Sequence, residues 1–230
     1  NGDGEVTIED VNEVIDILLK KKSAESAEPI TPITPTEPLD PSNVHEYVDL
    51  GLSVKWATCN VGADNPEDYG DYYAWGETET KSTYNWSTYK WCSNASWTGM
   101  TKYTYFDKQT SGIWYNNGTF VGDKKTTLDP EDDVAHVKWG GDWRIPTRAE
   151  QEELRDTTNC TWTWTSQGGK LGYKVTSKKN GNSIFLPAAG YRSDGSLYFA
   201  GSRGYFWSSS LDTSYSSNAY IVYFFSSDVY

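Results

Sequence analysis

Trp143-Arg144-Ile145-Pro146-Thr147, Leu186-Pro187-Ala188-Ala189-Gly190-Tyr191-Arg192 and Gly204-Tyr205-Phe206-Trp207-Ser208-Ser209-Ser210 are the three blocks whose reading decides the fold. They mix aromatic rings with glycine and proline, and none carries the residues of a catalytic triad or a phosphate-binding loop. Such blocks predict an irregular, turn-rich body whose backbone is pinned by buried Trp and Pro. After the first block, Thr147 stands three residues before Glu150, the spacing of a capping box, which predicts a helix over 148–156. The combination points to binding rather than turnover.

Working outward, the 230 residues are only 37% hydrophobic, yet they include 11 Trp and 17 Tyr. Large rings supply much buried area per residue, so a substantial core is still available. Every Trp lies after residue 55, which places the start of the packed domain near His45. Abundant Gly, Ser, Thr and Asn favour short strands and many turns. Residues 47–57 read as two short strands around a Gly turn, and Asp71–Gly76 as a central strand. Residues 85–135 read as ordered loops lying over the core. Further strands are expected at Tyr173–Ser177, Ser183–Leu186, Leu197–Ala200 and Ala219–Phe225, with Lys179-Asn180-Gly181-Asn182 as a hairpin turn. The class is therefore α+β: β-rich with one or two short helices and long ordered loops, plus a short N-terminal helix.

The formal net charge of −12 and sequence pI of about 4.6 exclude nucleic acid as a natural partner, because such a surface repels phosphates. No apolar run approaches the roughly 20 residues of a membrane-spanning helix. Cys59, Cys92 and Cys160 are too few and too scattered for a disulfide scaffold or a CxxC metal site. They read as structural cysteines, with one disulfide plus a free thiol as the alternative. The only histidines are His45 and His136, and no nucleophile pairs with either in a short motif. The carboxylates Glu150, Glu152 and Glu153 read as a solvated helix face. The clusters Asn65-Pro66-Glu67-Asp68 and Asp129-Pro130-Glu131-Asp132-Asp133 read as solvated turns, with calcium binding as the alternative. The chain is expected not to be an enzyme.

Three segments divide the chain: 1–22, 23–44 and 45–230. Asn1-Gly2-Asp3-Gly4-Glu5-Val6-Thr7-Ile8-Glu9-Asp10 fits a twelve-residue calcium loop from its third position onward. Asn1, Asp3, Glu5, Thr7 and Asp10 fall on ligand positions, and Gly4 falls on the sharp turn. Val11, Val14, Ile15, Ile17, Leu18 and Leu19 then give an amphipathic helix pattern. In residues 23–44, prolines 29, 32, 35, 38 and 41 recur every third residue, the period of a polyproline II spacer.

The first segment resembles one repeat of a dockerin. That resemblance implies a cohesin-like scaffold as partner and calcium as cofactor, although the domain at 45–230 requires none. The later blocks, together with Tyr47-Val48-Asp49-Leu50-Gly51-Leu52-Ser53-Val54-Lys55-Trp56-Ala57 and Gly70-Asp71-Tyr72-Tyr73-Ala74-Trp75-Gly76-Glu77, resemble the Fibrobacter succinogenes major paralogous domain family. The resemblance implies a C-type-lectin-like fold, export to a bacterial surface or beyond, and recognition of a protein or glycan ligand. It is similar in this to the variable proteins of diversity-generating retroelements. It also implies a closing strand after the last one, whose absence would leave an edge open to a donor strand.

By that resemblance Tyr205, Trp207, Asp212, Tyr215, Asn218, Tyr220, Tyr223 and Asp228 become contact candidates, with Trp207 and alternate strand residues assigned to the core instead. The surrounding Ser, Tyr, Asn and Asp are the residues that antibody loops use. Two other functions fit the same sequence. One is a structural or assembly subunit, dockerin-mediated or pilus-like. The other is a carbohydrate-binding module, in which aromatic faces stack on sugar rings.

Overall fold

The computed structural model describes residues 45–106, 108 and 110–230. The expected metal ligands Asn1, Asp3, Glu5, Thr7 and Asp10, the N-terminal helix and the proline stripe lie outside these residues. The described residues are β-rich with few helices, and His45–Tyr230 packs as one unit.

Two antiparallel three-stranded sheets make the frame. The first runs β5 (Cys160–Gln167), β6 (Lys170–Ser177) and β7 (Ser183–Pro187) in sequence order. Its first turn carries Gly168 and Gly169, both at positive φ as a tight hairpin turn demands. Its second turn is the expected one, with Gly181 also at positive φ. The second sheet runs β10 (Arg203–Leu211), β11 (Ala219–Phe225) and β12 (Asp228–Val229). β11 is not an edge strand, because Asp228–Tyr230 folds back along it. The short pair β1 (Tyr47–Val48) and β2 (Trp56–Ala57) forms as expected, and β3 (Tyr115–Asn116) pairs with β4 (Thr119–Phe120) in the long loops.

Phe224 joins the two sheets. It is fully buried, and its ring meets Tyr173 at 5.3 Å, Trp162 at 6.2 Å and Trp164 at 6.4 Å from the first sheet. Phe206 of β10 stacks on it at 5.8 Å. Leu50, Val175, Ile184 and Val222 complete the same cluster. Leu154 reaches it from helix α2 (Arg148–Arg155), whose expected capping box is present in both directions. The preceding helix α1 (Val134–Trp139) begins at the end of the stretch expected to be loop. Asp133 caps it by accepting from the amides of Ala135 and His136.

A second, smaller cluster of Trp75, Tyr103, Leu128 and Leu211 sits under the long loops. Asp71–Gly76 is not a strand here. Its carbonyls are satisfied by aromatic side chains instead of by a neighbouring strand. The Tyr84 hydroxyl donates to Tyr72, Trp207 Nε1 to Tyr73 at 3.1 Å, the Tyr89 hydroxyl to Trp75 at 3.0 Å, and Trp91 Nε1 to Gly76 at 2.9 Å.

Of the two acidic clusters, Asn65–Asp68 is the solvated turn expected, closed by Asn65 Nδ2 donating to Asp68 at 2.9 Å. The other is solvated only in part: Pro130 and Glu131 are exposed, but Asp132 and Asp133 are buried. Asp132 is 1% exposed and receives Lys102 Nζ at 2.6 Å, the Tyr103 hydroxyl at 2.7 Å and Lys90 Nζ at 3.1 Å. Burial alone would push its carboxyl up, but these donors outweigh burial and hold it below the usual carboxylate range. The helix carboxylates differ from expectation too: Glu150 is paired with Arg144, and Glu153 accepts from the Ser53 amide at 3.1 Å. Nor are the block tryptophans buried. Trp143 is half-buried beside Trp139 and His45, and the fully packed ones are Trp75 and Trp114. All three cysteines are free.

Two outcomes follow from these contacts. A Cβ at Gly204 would overlap the Phe224 ring, so Gly204→Ala should lower stability by about 1–3 kcal/mol in urea titration. Gly118→Ala meets open space and should cost less, limited to its positive φ. Because the folded carboxyl of Asp132 lies below its unfolded value, its stabilisation is present above the unfolded pKa and is lost as pH falls through the folded one. Melting temperature measured on acidification below about pH 4 should therefore fall less steeply in Asp132→Asn than in the parent.

Candidate functional site

Side chains of a strand alternate between faces, so the inward Val222 and Phe224 force Ile221, Tyr223 and Phe225 outward. On β10 the same rule turns Phe206 inward and Tyr205 and Trp207 outward. Trp207 is 40% exposed, so its assignment to the core is corrected: Phe206 fills that place. Tyr205 pairs directly with Tyr223. β8 (Tyr191–Ser193) and β9 (Ser196–Tyr198) form a hairpin with Tyr191 opposite Tyr198. A parallel bridge between Gly190 and Gly204 brings that hairpin alongside β10. Gly190 has φ +69° and lies so close to the Tyr198 carbonyl that a Cβ there would overlap it. On the other side, Tyr230 exchanges both backbone hydrogen bonds with Tyr223, at 2.7 and 3.1 Å.

The result is a ladder of tyrosines across five neighbouring chain segments, in the order Tyr198, Tyr191, Tyr205, Tyr223, Tyr230. Successive ring centroids lie 5.5, 5.0, 4.8 and 5.7 Å apart. Phe199 flanks Tyr191 at 5.9 Å, and Phe225 flanks both Tyr223 and Tyr230, at 5.8 and 6.0 Å. The Arg203 guanidinium sits 4.0 Å over the Phe199 ring. Desolvation pushes the Tyr223 phenol above its ordinary range, partly opposed by Arg203. The hydroxyls of Tyr191, Tyr198 and Tyr230 have no hydrogen-bond partner among the described residues. Tyr198 and Tyr230 are 43% and 54% exposed.

The contact candidates do not form one site. Tyr205 and Tyr223 are the central rungs of the ladder. Asp228 stands at its end, where it accepts from the Ser227 hydroxyl at 2.7 Å. Asp212, Tyr215 and Asn218 lie at the other end of the β10–β11 hairpin, and Tyr220 is on β11 itself, about 10 Å along the strand from Tyr223. There Asp212 Oδ1 accepts from the Ser214 amide at 2.9 Å and from the Tyr220 hydroxyl at 3.4 Å. The Tyr220 ring carries the Arg148 guanidinium at 4.0 Å. Tyr215 and Asn218 are exposed at the tip.

Sequence reasoning missed Tyr191, Tyr198, Phe199, Phe225 and Tyr230. For Phe225 the signal was available, in the two-residue alternation around Phe224; for Tyr230 it was not, because a turn at 226–227 folds it back beside Tyr223. For Tyr191 and Tyr198 it was not, because a long-range glycine bridge places their hairpin. Phe199 was read as strand, but it turns at φ +57°.

Other chemistry is sparse among the described residues. Burial pushes the Cys59 and Cys160 thiols up, away from the thiolate form that reacts. No group of His, Cys, Asp and Glu is arranged to hold a metal ion among the described residues. No helix among them is long and apolar enough to cross a membrane. Compared with protein-family models, with curated proteins and with solved structures, the chain matches none.

The two faces of the hairpin should respond differently to substitution. Phe206→Ala and Phe224→Ala should each cost about 3–5 kcal/mol, as truncated buried aromatics do. Tyr205→Ser with Tyr223→Ser should leave the melting temperature within a few degrees of the parent, as outward side chains allow. Thermal unfolding followed by circular dichroism separates the two cases.

Proposed function

We propose that this chain is an exported or cell-surface recognition protein of bacteria, without enzymatic activity. Its domain at 45–230 is of the C-type-lectin-like type and binds a macromolecular ligand on the tyrosine ladder. One observation carries the reading: five tyrosine rings in succession across the β8–β9 hairpin and the neighbouring β10–β11–β12 sheet, three of them with hydroxyls free to bond a ligand. Tyrosine offers large amphipathic contact area at small entropic cost, which is why binding loops favour it. Resemblance of the aromatic-glycine blocks to the Fibrobacter succinogenes major paralogous domain family supports the fold type and the exported location. The dockerin-like start supports attachment to a cohesin-like scaffold, with calcium as its cofactor.

The ladder narrows the binding face expected from sequence. Tyr205, Tyr223 and Asp228 stay in it, and Tyr191, Tyr198 and Tyr230 join. Asp212, Tyr215, Asn218 and Tyr220 lie outside the ladder, toward the hairpin tip.

The test uses the full chain on an array of purified bacterial and host surface glycans and extracellular proteins. The parent should bind at least one ligand saturably. The Tyr205→Ser, Tyr223→Ser double variant, with its melting temperature intact, should lose that binding at least about tenfold. Equal binding by the variant, no binding by the parent, or chemical turnover of a bound ligand would each sink the proposal.

A further inference from the structure

We propose that Asn117 is a site of self-modification. The chain cyclises at Asn117-Gly118, loses ammonia and reopens with water, leaving aspartate or isoaspartate at 117. The step needs no enzyme and uses none of the residues of the tyrosine ladder, so it stands independently of the binding face proposed above.

Asparagine followed by glycine is the pair best suited to this chemistry. The Gly118 nitrogen gives up its proton and attacks Cγ of the Asn117 side chain. The new C–N bond closes a succinimide ring, and the Cγ–Nδ2 bond breaks as ammonia leaves with a proton. Water then adds to either ring carbonyl. Attack at Cγ restores the ordinary peptide as aspartate, and attack at the backbone carbonyl leaves the chain running through the side chain as isoaspartate. Glycine favours closure because it has no Cβ to obstruct the approach and its backbone turns freely.

The sequence holds this pair at 1–2, 117–118 and 180–181, the first of them outside the described residues. The other two both lie in exposed turns between paired strands, so exposure does not separate them. Hydrogen bonding does. Asn180 Nδ2 donates to the Asp49 carbonyl at 2.9 Å, and its Oδ1 accepts from the Asn182 amide at 3.0 Å. The attacking group there, the Gly181 N–H, donates to the Ser177 carbonyl at 3.0 Å. Each group that must move or react at 180 is held. At 117, neither the Asn117 side-chain amide nor the Gly118 N–H has a hydrogen-bond partner among the described residues. A Cβ on Gly118 would meet nothing within 4 Å, so the approach is open.

The frame around each turn points the same way. Ring closure requires the asparagine backbone to leave the turn conformation, so the turn has to open. Asn117 and Gly118, at φ +48° and +77°, make the two-residue turn of the β3–β4 hairpin. Its strands pair only at Tyr115–Phe120 and Asn116–Thr119, with one further bond from the Val121 amide to Trp114 at 2.7 Å. A hairpin that short has little to hold it shut. The turn at 180 instead joins β6 to β7, which pair over five residues inside a three-stranded sheet. Opening there competes with the frame of the domain. The product adds a carboxylate to a net charge of −12, and isoaspartate adds one backbone atom to a two-residue turn. The rings of Phe106, Tyr115 and Phe120, which meet at 5.6 to 6.2 Å around this hairpin, are the group that such a lengthening disturbs.

Peptide mapping by mass spectrometry tests the proposal on the full chain aged in mildly alkaline buffer, beside a sample unfolded in guanidinium chloride. In the folded chain the mass gain of an amide becoming a carboxyl should build up at Asn117 at least about tenfold faster than at Asn180. In guanidinium the two sites should approach a common rate, because the structure that separates them is gone. Isoaspartate and aspartate should both be found at 117, told apart by electron-transfer fragmentation. Gly118→Ala should slow the conversion by about tenfold or more, since a Cβ then stands beside the attacking nitrogen. Failure of Asn117 to react in the folded chain, whether or not it reacts in guanidinium, overturns the inference. Equal rates at 117 and 180 in the folded chain overturn it as well. So does conversion to aspartate alone, which is direct hydrolysis without ring closure.

Discussion

Burial of the Phe224 ring is the constraint on which the rest of this structure depends. Strands β5 and β6 present Trp162, Trp164 and Tyr173 to it, β10 presents Phe206, and Gly204 leaves the space into which it fits. Five aromatic rings in edge and stacked contact stand at the centre of this core, with Leu50, Leu154, Val175, Ile184 and Val222 packed around them. Because residues of a strand alternate, fixing Phe224 inward also fixes Tyr223 and Phe225 outward. The packing of the core and the display of the candidate site are one and the same choice of register. A slip of one residue would exchange them.

A second economy runs through the loops. The polar tips of Trp and Tyr do work that elsewhere falls to neighbouring strands. Carbonyls of residues 72, 73, 75 and 76 accept from Tyr84, Trp207, Tyr89 and Trp91. Trp75 Nε1 in turn donates 2.7 Å to the carbonyl of Ser208. At Ser208–Ser210 the pairing of β10 with β11 shifts, and the freed backbone meets Pro146 and Leu128 instead. Small serine side chains permit that crossing of chain segments. Asp132, with its lysines and Tyr103, ties the outer loops to the turn before α1.

Much of the frame was legible in the sequence because its causes are local. Thr147 and Glu150 cap α2, Gly181 turns β6 into β7, and the apolar run of β11 announces a strand. Asp71–Gly76 misled because its aromatic and small residues suit a strand, while the donors that satisfy it lie up to 134 residues away. The acidic stretch at 129–133 misled for a related reason. Asp and Pro are ordinary turn residues, and nothing local says that Lys90, Lys102 and Tyr103 will converge on one of them. The contact candidates were half legible: composition marked the Tyr- and Ser-rich hairpin, but composition cannot divide its two ends.

By itself the sequence determined the β-rich class, the turns, the capped helix and the surplus of rings over aliphatic residues, since propensity, glycine and proline act within a few residues. Only the tertiary structure decided which rings are core and which are surface. That depends on strand register and on the close approach of Gly190 to Gly204, neither of which has a local signature. Five tyrosines scattered over forty positions become one line because adjacent strands bring distant residues to about 5 Å from each other.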